Sequence, residues 1–216
     1  ALALLADQYN IDSNELIQLA NKGYPRNTIA RPSPGVGGYC LTKDPLLYAS
    51  TENTLPHAKL AKLGREINDE IADYPLKLFY KFVEKESLNI SEMKVLIIGL
   101  AFKGWPETND LRGSNGVKLA FSIKEKCKSL SVYDSLIGKE DFIKLDLKYL
   151  NLNKLNILKF DAIFIMNNHP KNIKDNFLSS LKNHKVFIFD GWNQIDKRTA
   201  VGYKNIKYAN LGYSSN

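Results

Sequence analysis

The amino-acid sequence predicts an α/β protein in which a helical dimerisation segment is followed by a doubly wound, mainly parallel, Rossmann-like sheet. In the first part of the 216 residues, apolar side chains recur at helical spacing, whereas short apolar runs alternate with helical stretches after Asn89. Such alternation is typical of a parallel sheet with helices on both faces. We therefore predict a central helical domain at 1–90 and a C-terminal α/β domain at 91–216.

The helical domain is predicted from three apolar patterns. Residues 1–9 are apolar at helical spacing, and Ser13 begins a second helix with a residue that favours N-caps. A long pattern over 55–86 predicts a helix that Pro75 kinks or splits, because proline lacks the N–H that a helix interior requires. The apolar surface of the 55–88 helix needs a partner, and we predict a homodimer through it.

Continuous apolar runs predict the strands of the α/β domain. These runs lie at 94–99, 131–134, 161–166, 185–190 and 206–211, and helices are predicted at 114–126 and 172–181. Doubly wound sheets bind ligands at the carboxyl ends of their strands. The residues that end three of these runs are therefore of interest, namely Gly99, Asp134 and Asp190.

Composition narrows the classes of function. No apolar run approaches the length of a transmembrane helix, so no membrane partner is expected. The net charge is +7, but the lysines are dispersed among acidic and apolar residues, which favours a small anionic ligand over nucleic acid. Two cysteines and three histidines are too few for a zinc site or a disulfide framework, so we expect a cytoplasmic protein without a metal.

The loop at 99–114 lies where a dinucleotide-binding fold carries G-x-G-x-x-G, but that pattern is absent. This sheet is therefore not expected to bind NAD in the usual way. The loop does carry Lys103 and Arg112 close to a predicted helix N-terminus, which together suit a phosphate group. The alternative is a solvated loop with two surface cations.

The stretch at 31–44, RPSPGVGGYCLTKD, contains one of the two cysteines. We predict a short helix that begins after Asp44 and has Pro45 in its first turn. A nearby helix N-terminus and Lys43 favour Cys40 as a nucleophile, and Asp44 could act as a base or hold a water. The alternative is a buried structural cysteine, and the residues alone leave both open.

Three motifs resemble those of the nucleotide-sugar 6-dehydrogenase family, which includes UDP-glucose, UDP-N-acetylhexosamine and GDP-mannose dehydrogenases. The resemblance spans the chain in consistent order. The catalytic loop G-x-G-G-x-C followed by K-D is matched at 35–40 and 43–44, G-x-A-F-K and D-x-R at 99–103 and 110–112, and the signature of the long central helix at 65–69.

The resemblance implies a three-part enzyme of which this chain holds the central and C-terminal parts. An N-terminal domain that binds NAD would precede it, which agrees with a sequence that opens on ALALLADQYN as if inside a helix. The implied reaction oxidises the C6 alcohol of a UDP-sugar to a carboxylate in two steps, for surface-polysaccharide precursors. The alternative is a non-catalytic module that binds a nucleotide sugar and dimerises.

The resemblance also implies roles for individual residues. Cys40 would hold the aldehyde stage as a thiohemiacetal and then a thioester, Asp44 would help to activate water, and Lys43 would lie near cofactor and substrate. Arg112 would reach toward the cofactor or the domain interface. The implied substrate-binding residues are Lys103 on the diphosphate, with Phe102, Gly37, Gly38, Tyr39, and Arg26 from across the dimer.

Three departures from the family pattern leave the sugar open. The spacing from Lys103 to Arg112 is two residues longer than in the pattern. Trp192 stands where several UDP-glucose enzymes have an arginine, and it cannot donate two parallel hydrogen bonds. Tyr39 stands where serine or histidine is common.

Overall fold

The helices of the computed structural model surround a sheet that begins at Lys94. The structure describes residues 1–26, 28–50, 55–150, 160–173, 176–181 and 185–215. The helices are α1 Leu2–Gln8, α2 Ser13–Asn21, α3 Tyr39–Ser50, α4 Pro56–Lys85, α5 Asn115–Lys124, α6 Lys139–Lys144, α7 Phe177–Ser180 and α8 Lys197–Gly202. None of these described helices is both long and apolar enough to cross a bilayer.

The strands form one sheet in the order β2-β1-β3-β4-β5-β6. They are β1 Lys94–Ile98, β2 Ser129–Tyr133, β3 Ala162–Ile165, β4 Val186–Asp190, β5 Ile206–Asn210 and β6 Tyr213–Ser214. All neighbours are parallel except β5 and β6. The predicted α/β class with a mainly parallel sheet is thus confirmed.

The strand order places a switch point between β1 and β3. The chain leaves β1 toward β2 on one side, whereas β3, β4 and β5 follow on the other side. Doubly wound sheets bind ligands at such a switch point, at the carboxyl ends of the strands.

Two predictions about the ends of elements are wrong. The second strand begins at Ser129 rather than at 131, because Ser129 already pairs with Lys94 in the parallel ladder. The helix predicted at 172–181 is reduced to a 3-10 turn at Pro170–Asn172 and to α7, and residues 174–175 lie outside the described residues.

Two prolines of the helical part, Pro45 and Pro75, lie inside helices. α3 begins at Tyr39, so Pro45 lies in its middle rather than in its first turn. Because Pro45 has no N–H to donate to Leu41 O, that carbonyl is free to accept from Arg65 Nη1, at 3.4 Å. α4 runs from Pro56 through Pro75 to Lys85 as one helix, so the predicted split does not occur.

The C-terminal half of α4 joins the helical part to the sheet. Phe79 and Phe82 are buried and their rings lie 5.2–5.5 Å from those of Phe164 on β3 and Phe187 on β4. Burial of each such ring contributes roughly 1.5–3 kcal/mol to the free energy of unfolding. The N-terminal half of the same helix instead exposes apolar side chains, Leu60 and Leu63 among them.

Candidate functional site

The cysteine loop, residues 31–44, packs directly on the loop that follows β1. Gly38 N donates to Arg112 O at 3.1 Å. A Cβ at Gly37 would lie 2.4 Å from Gly113 O, and one at Gly38, whose φ is +90°, would lie 3.0 Å from the Phe102 ring. Only glycines allow this approach. The two loops that carry the family-like motifs therefore meet at the carboxyl end of β1.

Two asparagines anchor the cysteine loop through hydrogen bonds to its backbone. Asn68 on α4 accepts from Val36 N at 2.6 Å and donates to Val36 O at 3.2 Å. Asn115, at the start of α5, donates to Pro34 O at 2.9 Å. The 65–69 stretch, which the sequence shares with the family signature, thus anchors the loop through backbone hydrogen bonds.

Cys40 is an exposed free thiol in the first turn of α3. The interpretation as a buried structural cysteine is therefore wrong. The position lies near the N-terminus of the helix, where the unpaired backbone N–H groups carry partial positive charge. The side chain can be reached from solvent, as a nucleophile requires.

Two cations flank the exposed ring of Tyr39, next to Cys40. Lys43 Nζ and Arg112 Cζ each lie 5.1 Å from the ring centroid, within the range of cation–π contact. Lys43 also pairs with Asp44 at 3.0 Å. Lys43 and Arg112 are therefore brought together around Tyr39, the residue that precedes Cys40.

Arg112 is held by a carboxylate of its own loop. Its Nε and Nη2 both bond to the carboxylate of Asp110, at 2.7–3.1 Å. The hydrogen bonds between the two raise the pKa of Arg112 above its usual value and lower the pKa of Asp110. Arg112 thus presents a fixed positive charge beside Tyr39.

Lys103 lies next to Phe102 in the loop that follows β1. Its Nζ is 5.4 Å from the centroid of the Phe102 ring, the ring that covers Gly38. Among the described residues no carboxylate pairs with Lys103, which leaves its ammonium available for an anionic ligand. Lys103, Phe102, Gly37 and Gly38 therefore form one edge of the site.

Arg26 and Trp192 are also singled out in the sequence, and they lie in the turn after α2 and in the segment after β4. Arg26 is exposed in the turn after α2, and no hydrogen bond or ion pair between described residues joins it to the cysteine loop. Trp192 is half-buried after β4, and its Nε1 donates to Met166 O at 3.0 Å.

A buried polar network lies beneath the β1 loop, and the sequence predicts none of it apart from Asp134 as a strand end. The Asp134 carboxylate accepts from Leu100 N at 2.7 Å, Ala101 N at 3.0 Å and Asn167 Nδ2 at 3.0 Å. Asp134, Asn167 and His169 are 0–1% exposed. Asp134 directly follows an apolar strand, which is a local signal of a strand-end site, but no local signal marks Asn167 and His169.

The hydrogen bonds of Asp134 bear on whether this sheet can bind NAD. In a dinucleotide site the backbone N–H groups after the first strand face the pyrophosphate. Here the N–H groups of Leu100 and Ala101 already donate to Asp134. A Cβ at Gly99 would lie 2.6 Å from Asn167 Oδ1, so the space beside the strand is filled. These two N–H groups and this space are therefore not available to a pyrophosphate. Within the described residues no group of His, Cys, Asp and Glu side chains has the arrangement of a metal site.

Comparison with known proteins agrees with this geometry. Residues 1–70 match the model of the central domain of the UDP-glucose/GDP-mannose dehydrogenase family, and residues 96–197 match its UDP-binding domain. The chain belongs to the UDP-glucose/GDP-mannose dehydrogenase family. The family-like motifs of the cysteine loop and of the β1 loop fall within these two matches.

Relatives within the family carry related names. The UDP-N-acetyl-D-mannosamine dehydrogenase of Pyrococcus horikoshii is 35% identical over 93% of this chain and 45% of its own length. The Methanococcus vannielii enzyme of the same name is 27% identical over 97% of this chain and 44% of its own length. The chain therefore spans less than half the length of these curated relatives.

Solved structures of the family share the fold. The UDP-D-ManNAc dehydrogenase of Pyrococcus horikoshii superposes with a TM-score of 0.80 at 31% identity, covering 98% of this chain and 46% of that one. The UDP-N-acetyl-mannosamine dehydrogenase of Staphylococcus aureus gives 0.68 at 26% identity, covering 98% and 45%.

Proposed function

We propose that this chain is the substrate-binding and nucleophile-bearing part of an NAD-dependent UDP-sugar 6-dehydrogenase. The observation that supports the proposal is the packing of the Cys40 loop on the Lys103 loop at the β1 end of the switch point. An exposed thiol, an available ammonium and a fixed guanidinium thus share one edge of the sheet. The relatives' names favour UDP-N-acetylmannosamine as the substrate.

In this proposal Lys103 binds the diphosphate and Cys40 holds the sugar's C6 carbon. Oxidation of the C6 alcohol gives an aldehyde, and the Cys40 sulfur adds to its carbon to form a thiohemiacetal, whose oxygen takes up a proton. A second oxidation gives a thioester. Water then attacks that carbon, which releases the carboxylate and restores the thiol. Covalent capture keeps a reactive aldehyde bound between the oxidations.

The other predicted residues have supporting roles. Asp44 accepts the proton of the attacking water, and Lys43, its partner at 3.0 Å, keeps its carboxylate oriented. Tyr39, Gly37, Gly38 and Phe102 line the substrate. Gly37 and Gly38 have no side chains, which lets the cysteine loop lie against Gly113 and Phe102.

NAD, held elsewhere in the intact enzyme, would supply the two-electron oxidant for both oxidations. This sheet would not hold it, since Asp134 occupies the N–H groups that a pyrophosphate would need. Arg112 and Lys43 are exposed cations that can contact the phosphates of NAD. The chain alone is therefore expected to bind a UDP-sugar without reducing NAD.

A homodimer through the helix at 55–88 completes the proposal. α4 exposes Leu60 and Leu63, which are 70% and 50% accessible, on its N-terminal half. Arg26, which is exposed in the turn after α2, would reach the partner's substrate. The two free cysteines suit a reducing cytoplasm.

Turnover of the intact enzyme tests the nucleophile. Cys40→Ala is expected to lower kcat by about a thousandfold or more, and mass spectrometry of the wild type is expected to find the sugar acid as a thioester on the Cys40 peptide. Cys127→Ala is the matched control and is expected to turn over normally. Equal turnover of the Cys40 variant would contradict the catalytic assignment.

Calorimetry of the chain tests substrate binding. UDP-N-acetylmannosamine, UDP-glucose and GDP-mannose are titrated in turn, and the first is expected to bind most tightly. Lys103→Ala is expected to weaken binding at least about tenfold, because an ion pair to a diphosphate is lost. Lys128→Ala, an exposed lysine before β2 at the opposite end of the sheet, is the control.

A further inference from the structure

The turn at 104–107 crosses the switch point from β1 and is fastened to the loop after β3. Gly104 N and Trp105 N both donate to Asn168 Oδ1, at 3.0 and 2.9 Å. A Cβ at Gly104 would lie 2.0 Å from His169 N, so the two backbones are in close contact. The backbone that carries Trp105 is therefore fixed on one side.

A buried histidine fixes the other side of the turn. His169 Nε2 lies 3.0 Å from Glu107 Oε1. Its Nδ1 accepts from Lys171 N at 3.2 Å and lies 2.7 Å from Ser135 Oγ. Because Nδ1 accepts the backbone N–H, the neutral ring carries its proton on Nε2 and donates it to Glu107. The His169 side chain is wholly buried, whereas Glu107 is 46% exposed.

The side chain held by this clamp faces solvent. Trp105 is 62% exposed, although its backbone is bonded and its neighbours on both sides are anchored. The ring follows Lys103 by two residues and lies in the part of the loop that exceeds the family spacing. An exposed indole on a bonded backbone, two residues after an available ammonium, matches a ligand with an aromatic base and a phosphate.

We propose that Trp105 stacks on the base of the nucleotide whose diphosphate Lys103 binds, and that Asn168 and His169 are positioning residues for that ring. This inference rests on the proposed function. The ring of Trp192 is the competing platform at this edge. It is half-buried and its Nε1 is bonded to Met166 O, so it offers less free surface.

Tryptophan fluorescence locates the base, because the chain has two tryptophans. Titration of UDP is expected to quench the emission of the Trp192→Phe variant, which retains Trp105, and not that of Trp105→Phe. Quenching that persists in Trp105→Phe and disappears in Trp192→Phe would overturn the proposal in favour of the competing ring.

Affinity separates stacking from phosphate binding. Trp105→Ala is expected to weaken the binding of UDP by about five- to a hundredfold, the usual range for loss of one base–aromatic stack. Inorganic diphosphate, which has no base, is expected to bind the variant and the wild type equally. Trp105→Phe is expected to recover most of the UDP affinity, since it keeps a ring, and Asn168→Ala is expected to weaken UDP but not diphosphate.

The outcomes distinguish this inference from the proposed function. A wild-type chain that binds neither UDP nor diphosphate overturns both. A wild-type chain that binds UDP, with a Trp105→Ala variant of equal affinity, overturns the stacking role alone. A variant that weakens UDP and diphosphate by the same factor also overturns it, because the loss would then come from the phosphate side of the site.

Discussion

The cysteine loop and the network beneath the β1 loop lie on the same edge of the sheet but are built in opposite ways. In the loop, the chemically active groups Cys40, Lys43 and Asp44 are exposed, and backbone hydrogen bonds hold them in place. In the network, Asp134, Asn167 and His169 are buried, and their side chains bond to backbone and to one another.

This difference indicates that the exposed groups carry the chemistry, whereas the buried groups hold the loop in position. Exposed groups can meet a substrate, but each is worth little to stability because water solvates it. Buried polar groups cannot meet a substrate, yet each leaves unpaired donors or acceptors when removed, which is costly. Substitutions in the network should therefore change stability, and those among the exposed groups should change chemistry.

The largest expected effect on stability is that of Asp134→Ala. The change leaves Leu100 N and Ala101 N without this acceptor and removes one of the two acceptors of Asn167 Nδ2. Urea unfolding is expected to show a loss of roughly 3–5 kcal/mol, because each buried donor without a partner costs about 1–3 kcal/mol. Asp134→Asn keeps the shape and one oxygen and is expected to lose less. A loss below about 1 kcal/mol for the alanine variant would contradict the network's role.

A smaller loss of stability is expected for a substitution where the cysteine loop touches the loop after β1. A Cβ at Gly37 would lie 2.4 Å from Gly113 O, so Gly37→Ala must push the loops apart. Thermal melting is expected to show a destabilisation of about 1–3 kcal/mol. A Cβ at Gly64 on α4 would meet no atom within 4 Å, and Gly64→Ala is expected to stabilise by about 0.5–1 kcal/mol. Equal melting of both variants would show that the loops do not meet.

Loss of one anchor should loosen the cysteine loop locally. Asn68→Ala removes both hydrogen bonds to Val36 and is expected to speed hydrogen exchange of the Val36 amide by about tenfold. Asn21 clamps Ile29 by the same pair of bonds, at 2.8 and 2.9 Å. Asn21→Ala should therefore speed exchange at Ile29 and leave Val36 unchanged. Unchanged exchange at Val36 in the Asn68 variant would show that Asn68 does not anchor the loop.

The smallest expected effect is a difference in reactivity between the thiols of Cys40 and Cys127. Burial raises the pKa of Cys127, so less of it is thiolate at pH 8, and its side chain is only partly accessible, whereas Cys40 is exposed. Iodoacetamide at pH 8 is expected to modify Cys40 faster than Cys127, and the difference should narrow as the pH rises and Cys127 ionises. Faster modification of Cys127 would contradict the described exposures.

The sequence predicts the sheet well because buried strands are continuous apolar runs, as at 94–98 and 186–190. It misplaces the start of α3 because Pro45 suggests a helix beginning, whereas Arg65, distant in sequence, contacts the carbonyl that Pro45 leaves free. Local motifs are enough to single out Cys40 and Lys103. The contacts of Asn167 and His169 with the β1 loop span more than sixty residues, and no local pattern reveals them.

Protection of Cys40 by ligand tests most directly that its loop and the Lys103 loop form one site. The chain is treated with iodoacetamide with and without UDP-N-acetylmannosamine, and the modification of Cys40 and Cys127 is measured by mass spectrometry. We predict that the ligand slows modification of Cys40 and not of Cys127, and that Lys103→Ala abolishes the protection at the same ligand concentration. Modification of Cys40 at an unchanged rate in the wild-type chain saturated with ligand would contradict a shared site.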